Sequence, residues 1–274
     1  MIFQLDFSAG YEWLIRYFVI YGILTLRYII LAGAAFLIFY SWRKHRFLYK
    51  RIQSRFPENS EYWREMGYSL LTMFIFAGIG LIVIALKRQG YTQIYNDIDE
   101  YGWTWFFISL VLTILLHDTW FYWTHRFMHI PKVFKVVHKV HHLSHNPSPW
   151  AAFSFHPLEA VIEAGIFPLI AFLLPVHPLT IFLFLLYMTI FNVLGHLGYE
   201  LYPRGFVRHP LGKWHNTSTH HNMHHRYTKC NYGLYFNIWD QIMGTNHKRY
   251  VEVFEEVAGK KAEKQIETGV HVME

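Results

Sequence analysis

Histidines recur at helical spacing in three short stretches of the sequence. The first stretch holds His125 and His129, and the other two share the pattern His-x-x-His-His. Those two stretches supply six more imidazoles: His138, His141, His142, His221, His224 and His225. Positions i, i+3 and i+4 lie on one face of an α-helix, so each stretch can direct two or three imidazoles at one point. Neutral imidazole binds zinc, copper, iron and nickel, and eight such groups from three helices would suit one or two transition-metal ions.

Several other metal-site chemistries are excluded by motifs that the sequence lacks. Cys230 is the single cysteine, which excludes a cysteine-rich zinc module and a disulfide framework. The HExxH pair of zinc proteases is absent, and so is the Glu-x-x-His pair of carboxylate di-iron bundles. The candidate donor set therefore consists of histidine.

The composition indicates that these histidines belong to a membrane protein. The 274 residues are 53% hydrophobic and 19% aromatic, which is too apolar for an ordinary soluble enzyme of this length. The net charge of +6 would suit either nucleic acid or an anionic membrane surface. Long apolar segments favour the membrane, so we expect no nucleic-acid partner. The N-terminal residues lack the basic region of a signal peptide, and we expect no cleaved leader.

Five apolar segments can position the histidines, because each approaches the roughly 20 residues that a membrane crossing needs. They are residues 13–42, 67–86, 103–123, 158–174 and 179–197. The fourth segment is short and contains Pro168, and the turn Pro175-Val-His-Pro178 predicts that the last two segments form a helical hairpin. The predicted fold class is all-α: a multi-span membrane helical bundle with a cytosolic helical cap that carries the histidines.

Loop charge predicts the orientation of this bundle. Of the 25 lysines and arginines, 21 lie in the loops and ends on the side of the histidines, Arg27 lies inside a span, and the other three, Arg16, Lys87 and Arg88, lie on the opposite side. The excess of positive charge marks the cytosolic side of a membrane protein. We therefore expect the histidine stretches in the cytosol and the N-terminus outside.

The sequence around the histidines resembles the fatty acid hydroxylase/sterol desaturase superfamily, whose three histidine boxes match the three stretches. Four further pieces match the family: Tyr122-Trp-Thr-His-Arg126, Pro149-Trp150 with His156-Pro-Leu-Glu159, Asn192-x-x-x-His196, and Asn231-Tyr-Gly233 with Trp239-Asp240 and Gly244-Thr245. The resemblance covers about residues 118–245. We expect one membrane-embedded catalytic domain over residues 1–274, with anchor spans in 1–102, a catalytic core in 103–245 and a charged, solvated, amphipathic tail in 246–274.

The resemblance implies a non-haem oxygenase that holds two iron ions, for which zinc could substitute in a purified sample. It implies that O2 oxidises a C–H bond of a membrane lipid to an alcohol, or, as the alternative, that the protein is a sterol desaturase proper and forms a double bond. No haem or flavin motif is visible in the sequence. A separate electron donor is therefore expected: a b-type cytochrome, a ferredoxin or a reductase. The protein is expected in a bacterial inner membrane or in the endoplasmic reticulum.

Two further site residues follow from the pair Asn192-x-x-x-His196. Some fatty acid hydroxylases carry a second histidine where Asn192 stands. An amide oxygen is a poorer match than imidazole for a borderline metal ion. We expect His196 to be a ninth histidine ligand. For Asn192 we expect tuning of the site by hydrogen bonding without holding the metal, with weak binding of the metal through the amide oxygen as the alternative.

Asp118 is a candidate support for the ligands. At 100° per residue it lies about 20° from both His125 and His129 around the third span, some two turns deeper in the bilayer. An unpaired carboxylate is costly there. We expect Asp118 either to accept the free N–H of a ligand imidazole or to pair with an arginine such as Arg126.

Two other classes of protein remain alternatives. A membrane haem protein would place single histidines within the spans at both faces, and a metal transporter would need polar groups along a path through the membrane. The remaining histidines near the boxes are expected to be structural, caps or surface groups, with His220 as a rival of His221: His117, His156, His215 and His220.

Overall fold

The structure, a computed structural model, describes residues 10–261, and the elements it contains in that range are helices and turns joined by three isolated β-bridges. The α-helices are, in chain order, α1 (Gly10–Phe36), α2 (Lys44–Phe47), α3 (Asn59–Arg88), α4 (Gly102–Met128), α5 (Pro131–Val137), α6 (Pro157–Ala164), α7 (Ile166–Leu173), α8 (Pro178–Gly195), α9 (Ser218–Tyr227), α10 (Ile238–Ile242) and α11 (Tyr250–Ala258). A π-helical turn, Leu37–Trp42, extends α1. The predicted all-α class is confirmed.

Four helices in the described range are long and apolar enough to cross a membrane. They are Gly10–Trp42, Asn59–Arg88, Gly102–Met128 and Pro178–Gly195. Most of their large apolar side chains on the outer faces are exposed, as in Leu14, Phe18 and Leu26 of α1. Such surfaces suit hydrocarbon better than water, and the protein is therefore a membrane protein.

The predicted fourth span, residues 158–174, is two eight-residue helices instead of one long helix. α6 ends at Ala164, Gly165 caps it, and α7 begins at Ile166. Pro168 explains the break, because proline has no N–H to donate to the carbonyl of residue 164 and its ring clashes with that carbonyl. The predicted fourth segment is therefore not among the four helices that are long enough to cross a membrane.

The two short helices nevertheless carry the chain from the histidine end of the bundle to the opposite end. The segment after α7 packs on the loop between α3 and α4, where the N–H of Gln93 donates to the carbonyl of Ala171 at 2.7 Å. Ile94 forms a β-bridge with Val176. From that end α8 returns towards the histidines, so the predicted helical hairpin forms with a broken first arm.

The helices pack around an aromatic core that reaches up to the histidines. The 3₁₀ turn Pro149–Phe153 inserts between α1 and α3, where the carbonyl of Trp150 accepts hydrogen bonds from the hydroxyls of Tyr28 and Ser69 at 2.8 and 2.9 Å. These bonds fix the loop between the second histidine stretch and α6.

The cap beyond the membrane helices is built by α9 and α11. Tyr250 and Phe254 of α11 are buried against Met223 of α9 and Val207. The predicted solvated tail is therefore only partly solvated: α11 is amphipathic and its apolar face packs on the helix that carries the third histidine stretch. The remainder of that predicted tail, residues 262–274, lies outside the described residues.

Candidate metal centre

The nine histidines predicted as ligands converge in two compact groups. Within each group the nearest ring nitrogens all lie within 4.8 Å of one another. Group one, named here for its position near the end of α4, contains His125, His129, His138, His142 and His224. Group two, beside the end of α8, contains His141, His196, His221 and His225. No other group of histidine, cysteine or carboxylate side chains in residues 10–261 meets the same distance limit.

Within each group the Nε2 atoms face one another at short distances. In group one, the Nε2 of His224 lies 3.1 Å from that of His129 and 3.0 Å from that of His142. In group two, the Nε2 of His221 lies 3.0 Å from that of His196 and 3.1 Å from that of His225. Nitrogens bound about 2.0–2.1 Å from one ion and at right angles to each other would be separated by roughly 3 Å.

The other ring nitrogen, Nδ1, points away from the group in five of the nine histidines and faces an oxygen. The partners are the carbonyls of Tyr232 for His125, Ser154 for His141, Asn192 for His196 and Cys230 for His224, and the carboxylate of Glu159 for His138, at 2.7–3.4 Å. A carbonyl oxygen only accepts, so Nδ1 carries the proton in the four rings that face a carbonyl, and their Nε2 presents a bare lone pair.

Where a carbonyl binds the Nδ1–H of both rings of a neighbouring pair, two unprotonated Nε2 atoms face each other. This is the case in group two, where the Nε2 atoms of His141 and His196 lie 3.4 Å apart. Neither nitrogen of such a pair has a proton to share, so the contact is repulsive unless a cation lies between them. The arrangement fits a metal ion in each group.

Burial keeps the imidazoles neutral, as metal binding requires. Burial lowers the pKa of His196 to about 4 and that of His129 to about 2, with neighbouring imidazoles adding to the effect at His129. Burial and the adjacent rings also hold the pKa of His141, His221 and His225 well below the usual range. At pH 7 these rings offer lone pairs without first losing protons.

The second and third stretches each divide their histidines between the two groups, which the helical spacing did not predict. In the second stretch His138 caps α5 and the next two histidines lie in a 3₁₀ turn, His141–Leu143, so consecutive side chains diverge. In the third stretch, His221 and His225 are one turn apart on α9 and face group two, whereas His224 faces group one. The expectation that a stretch aims at one point was therefore wrong for the second and third stretches, whereas His125 and His129 of the first stretch both lie in group one.

Glu159 is a part of the site that was not assigned from the sequence. Its Oε1 lies 2.7 Å from the Nδ1 of His138, and both side chains are almost fully buried. A carboxylate behind a ligand imidazole fixes the ring and makes it a stronger donor. The signal in the sequence was a carboxylate at the start of an apolar segment, where charge is costly without a partner.

A turn after α9 positions two histidines of group one. The carbonyls of Cys230 and Tyr232 each accept from a histidine Nδ1, as described above. Asp240 holds this turn, because its carboxylate accepts the N–H groups of Tyr232 and Gly233 at 2.9 and 2.6 Å and the hydroxyl of Thr245 at 2.6 Å. The Asn-Tyr-Gly and Trp-Asp motifs thus act through the backbone, which a sequence pattern does not show.

Asp118 has partners other than the two expected. Its Oδ1 accepts the backbone N–H groups of Tyr235 and Phe236 at 2.8 and 3.2 Å. The Nδ1 of His125 is bound to Tyr232 instead, because the turn after α9 lies closer to that ring. Asp118 therefore fastens the segment after the third stretch to α4.

Asn192 lies one turn before His196 on α8, as expected, and is buried. Its main-chain carbonyl accepts the Nδ1–H of His196 at 2.7 Å, and its side chain lines two cavities next to the histidines. The main-chain carbonyl of Asn192 therefore orients the His196 ring, and this contact does not depend on the Asn192 side chain.

The four remaining histidines near the boxes lie outside both groups. His156 caps α6 by accepting the N–H of Leu158, His117 packs between Phe184 and Tyr235, and His215 stacks on Phe191. His220 is turned away from its neighbour His221, and its Nε2 lies 3.2 Å from the Oδ1 of Asn246.

Two cavities adjoin the histidine groups, and a third lies deeper in the bundle. A cavity of about 250 Å³ beside group two is lined by His196 and His221. A small cavity of about 10 Å³ lies under both groups, since Phe121 and Phe155 in its wall contact the rings of His125 and His141. An apolar cavity of about 260 Å³ lies deeper in the bundle and shares Phe76 and Phe167 with the small one.

Comparison with known proteins supports a common ancestry for this part of the chain. The fatty acid hydroxylase family matches residues 110–245, which include all nine histidines. The Delta(7)-sterol 5(6)-desaturase ERG3B of Gibberella zeae is 36% identical over 178 residues, covering 65% of this chain and 51% of the relative. Lathosterol oxidase of Mus musculus is 27% identical over 221 residues, covering 78% of this chain and 71% of the relative.

The matches have limited extent. A second fungal relative, the Delta(7)-sterol 5(6)-desaturase erg3C of Aspergillus fumigatus, is 33% identical over 174 residues, covering 58% of this chain and 54% of the relative. The chain thus spans about half the length of these two fungal desaturases. No solved structure matches the chain significantly.

Proposed function

Because the chain belongs to the fatty acid hydroxylase/sterol desaturase superfamily, we propose that it is an O2-dependent oxidoreductase that oxidises a C–H bond of a membrane lipid. The observation that carries the proposal is the pair of histidine groups at the end of a membrane bundle, with bare Nε2 lone pairs facing one another. A haem protein or a metal transporter would not need nine imidazoles, eight of them buried, in two adjoining groups.

We propose that each group holds one iron ion, with the five histidines of group one and the four of group two as ligands. Two iron ions bound there would supply the capacity to reduce O2 and to oxidise an unactivated C–H bond. The smaller ligand number of group two leaves room for a further donor. The side chain of Asn192 lies near that position and tunes the site in this proposal, whereas Asp118 supports it through the backbone.

The protein's own residues perform the tasks of orientation and exclusion of water. Backbone carbonyls and Glu159 fix the imidazoles, so little reorganisation is needed when metal binds. The aromatic wall formed by Phe121, Phe153 and Phe155 keeps water from the lower side of the groups. A lipid held in the apolar cavity would present one C–H bond to the groups at a fixed distance, which is how positioning lowers the barrier.

Lipid hydroxylation is the main proposal for the reaction, and double-bond formation is the second. The relatives named above are sterol desaturases and a lathosterol oxidase. Their names favour a sterol or a similar lipid as the substrate, and they support double-bond formation as the alternative reaction. Both reactions use the same groups and differ in whether oxygen is transferred or a second hydrogen is lost.

We also propose a multi-pass topology with the histidine groups on the cytosolic side. α1, α3, α4 and α8 cross the membrane, and α6 with α7 form a broken fifth crossing. The excess of lysine and arginine at the histidine end supports this orientation. The same basic face would receive an acidic electron donor, such as a b-type cytochrome or ferredoxin, because long-range attraction steers oppositely charged partners together. The domain division into anchor, core and tail stands as part of this proposal.

Lipid analysis of cells tests the proposed function. Cells that express the protein should accumulate a lipid shifted by +16 mass units for hydroxylation or −2 for desaturation, and cells that express His142→Ala should not. An unchanged lipid profile in cells that contain folded, iron-loaded wild-type protein would contradict the proposal.

A further inference from the structure

We propose that Glu163 is a catalytic acid that delivers a proton to the oxygen chemistry in the small cavity under the two histidine groups. The proposal rests on the proposed function and concerns a residue that plays no part in holding the metals. Glu163 lies in α6, one turn after Glu159, and its side chain lines the small cavity.

Both candidate reactions consume protons beside the two histidine groups, where the wall of the small cavity is largely aromatic. Hydroxylation converts R–H, O2, two electrons and two protons into R–OH and one water. Desaturation converts H–C–C–H, O2, two electrons and two protons into C=C and two waters. The electrons come from the external one-electron carrier and the lipid, and each proton ends on an oxygen that derives from O2. A buried acid next to the reacting atoms is the usual means of supplying such a proton.

The surroundings of Glu163 keep it protonated. The carboxyl group has no lysine or arginine partner in residues 10–261, and its single hydrogen-bond contact there is the hydroxyl of Thr124, at 3.3 Å. That hydroxyl has one hydrogen and lies closer, at 2.8 Å, to the carbonyl of Trp120. Ionisation of a buried carboxyl group without a charged partner is costly, so the acid form is favoured.

The position of the cavity directs this proton to the reaction. Three residues of its wall each contact one of the histidines: Phe121 contacts His125, Phe155 contacts His141, and Asn192 binds His196. The volume of about 10 Å³ is close to the smallest that holds one water molecule. A group that lines this space therefore lies within reach of anything that enters it.

Glu163 is a better proton donor than the other titratable side chain of the same wall, His117. That ring is stacked on Tyr235 and packed against Phe184 in the membrane-embedded part of α4. No carboxylate pairs with His117 among the described residues, so nothing offsets the cost of the positive charge that it would need to act as an acid.

Isosteric substitution in the iron-loaded protein tests the proposal. Glu163→Gln keeps the shape and an oxygen for Thr124 but cannot deliver a proton. We expect wild-type iron content and thermal stability, a fall in product formation of about 10²-fold or more, and diversion of the electrons to hydrogen peroxide. Glu163→Asp, which keeps an acid group, should recover part of the product. The matched control is Thr124→Val, which removes the hydrogen bond and leaves the acid, and it should keep product formation near the wild-type rate.

The outcomes separate catalysis from a supporting role. Full product formation by Glu163→Gln would overturn the proposal, and so would loss of iron from that variant, since Glu163 would then support the metal centre. A large loss with Thr124→Val and none with Glu163→Gln would assign the contact to packing. The wild-type protein is assayed in parallel: absence of any lipid product there contradicts the proposed function, whereas a productive wild type with an unaffected Glu163→Gln contradicts only the catalytic acid.

Discussion

At the scale of single residues, a histidine in this site is defined by what each of its two nitrogens meets. Nε2 faces the group, and Nδ1 is held by an oxygen in five of the nine rings. The second contact fixes the tautomer and therefore decides which atom can bind metal. Loss of one imidazole removes a ligand and also leaves its buried neighbours with unopposed lone pairs.

Single substitutions in the two groups should show that each group holds metal. His129→Ala in group one and His225→Ala in group two should each lower iron content by at least one ion per protein and reduce product formation by about 10²-fold or more, because ligands act as a unit. Elemental analysis of purified protein measures the first effect. His145→Ala is the control, since His145 is exposed and lies outside both groups. Wild-type iron content in either group variant would contradict the ligand assignment.

Asn192 and His196 should differ in the same measurement. Asn192→Ala leaves the main-chain carbonyl that holds His196, so the variant should keep most of its iron and lose activity or selectivity. His196→Ala removes a proposed ligand of a four-histidine group and should empty group two. Asn192→His should bind metal at least as tightly as the wild type. Equal loss of iron from Asn192→Ala and His196→Ala would show that the amide is itself a ligand.

The sequence indicated which residues form the site better than it indicated how they are held. Eight histidines were predicted because imidazoles at short repeated spacings are uncommon without a metal, and the ninth, His196, was predicted from the family resemblance. Their division into five and four was not, since it depends on a 3₁₀ turn at His141–Leu143. The carbonyls of Cys230 and Tyr232 carry no side-chain signature and could not be predicted from composition or spacing.

At the scale of elements, short irregular segments between the helices hold the imidazole rings in place. α4, α8 and α9 bring their histidines to the ends of helices, and the turns between them supply the oxygens that fix the rings. The turn at residues 230–233 is held in a strained shape, with Asn231 at a positive φ of 58°. The carboxylate of Asp240 stabilises that shape by satisfying two buried N–H groups and one hydroxyl.

Removal of the Asp240 carboxylate should therefore loosen group one from a distance. Asp240→Ala leaves two buried N–H groups without an acceptor, at about 1–3 kcal/mol each. We expect a lower thermal unfolding midpoint and weaker iron retention. Asp118→Asn is the comparison, because Asp118 holds backbone N–H groups of the same segment that carry no ligand contact. Equal iron loss in both variants would show that the effect is general destabilisation.

At the scale of the whole molecule, the two histidine groups lie at one end of the helical bundle. At the other end, the segment after α7 packs on the loop between α3 and α4. The apolar spans could be predicted from hydropathy, because a run of about 20 predominantly apolar residues is typical of a membrane-spanning helix. The break between α6 and α7 was missed, although Pro168 was visible, because hydropathy does not register a lost hydrogen bond. Packing of α11 on α9 was also missed, since the sequence of a short amphipathic helix does not indicate which surface its apolar face contacts.

Cysteine accessibility tests the proposed orientation. Single cysteines in place of Lys135 and Lys261 should react with a membrane-impermeant reagent from the cytosol only, and one in place of Asp99 from the other side only. All three positions are exposed, whereas the native Cys230 is buried and should give little background. Labelling of the Lys135 and Lys261 positions from opposite sides would contradict the proposed topology.

The sharing of α9 between the two groups has a consequence for how the protein acquires its metals. The same helix sends His224 to one group and His221 and His225 to the other, and the 3₁₀ turn of the second stretch is divided in the same way. On the proposed assignment, the first ion to arrive orders both elements, and the second finds its ligands already in place. Uptake would then be cooperative, and under iron scarcity a population of these proteins would contain full and empty molecules with few half-loaded ones between them.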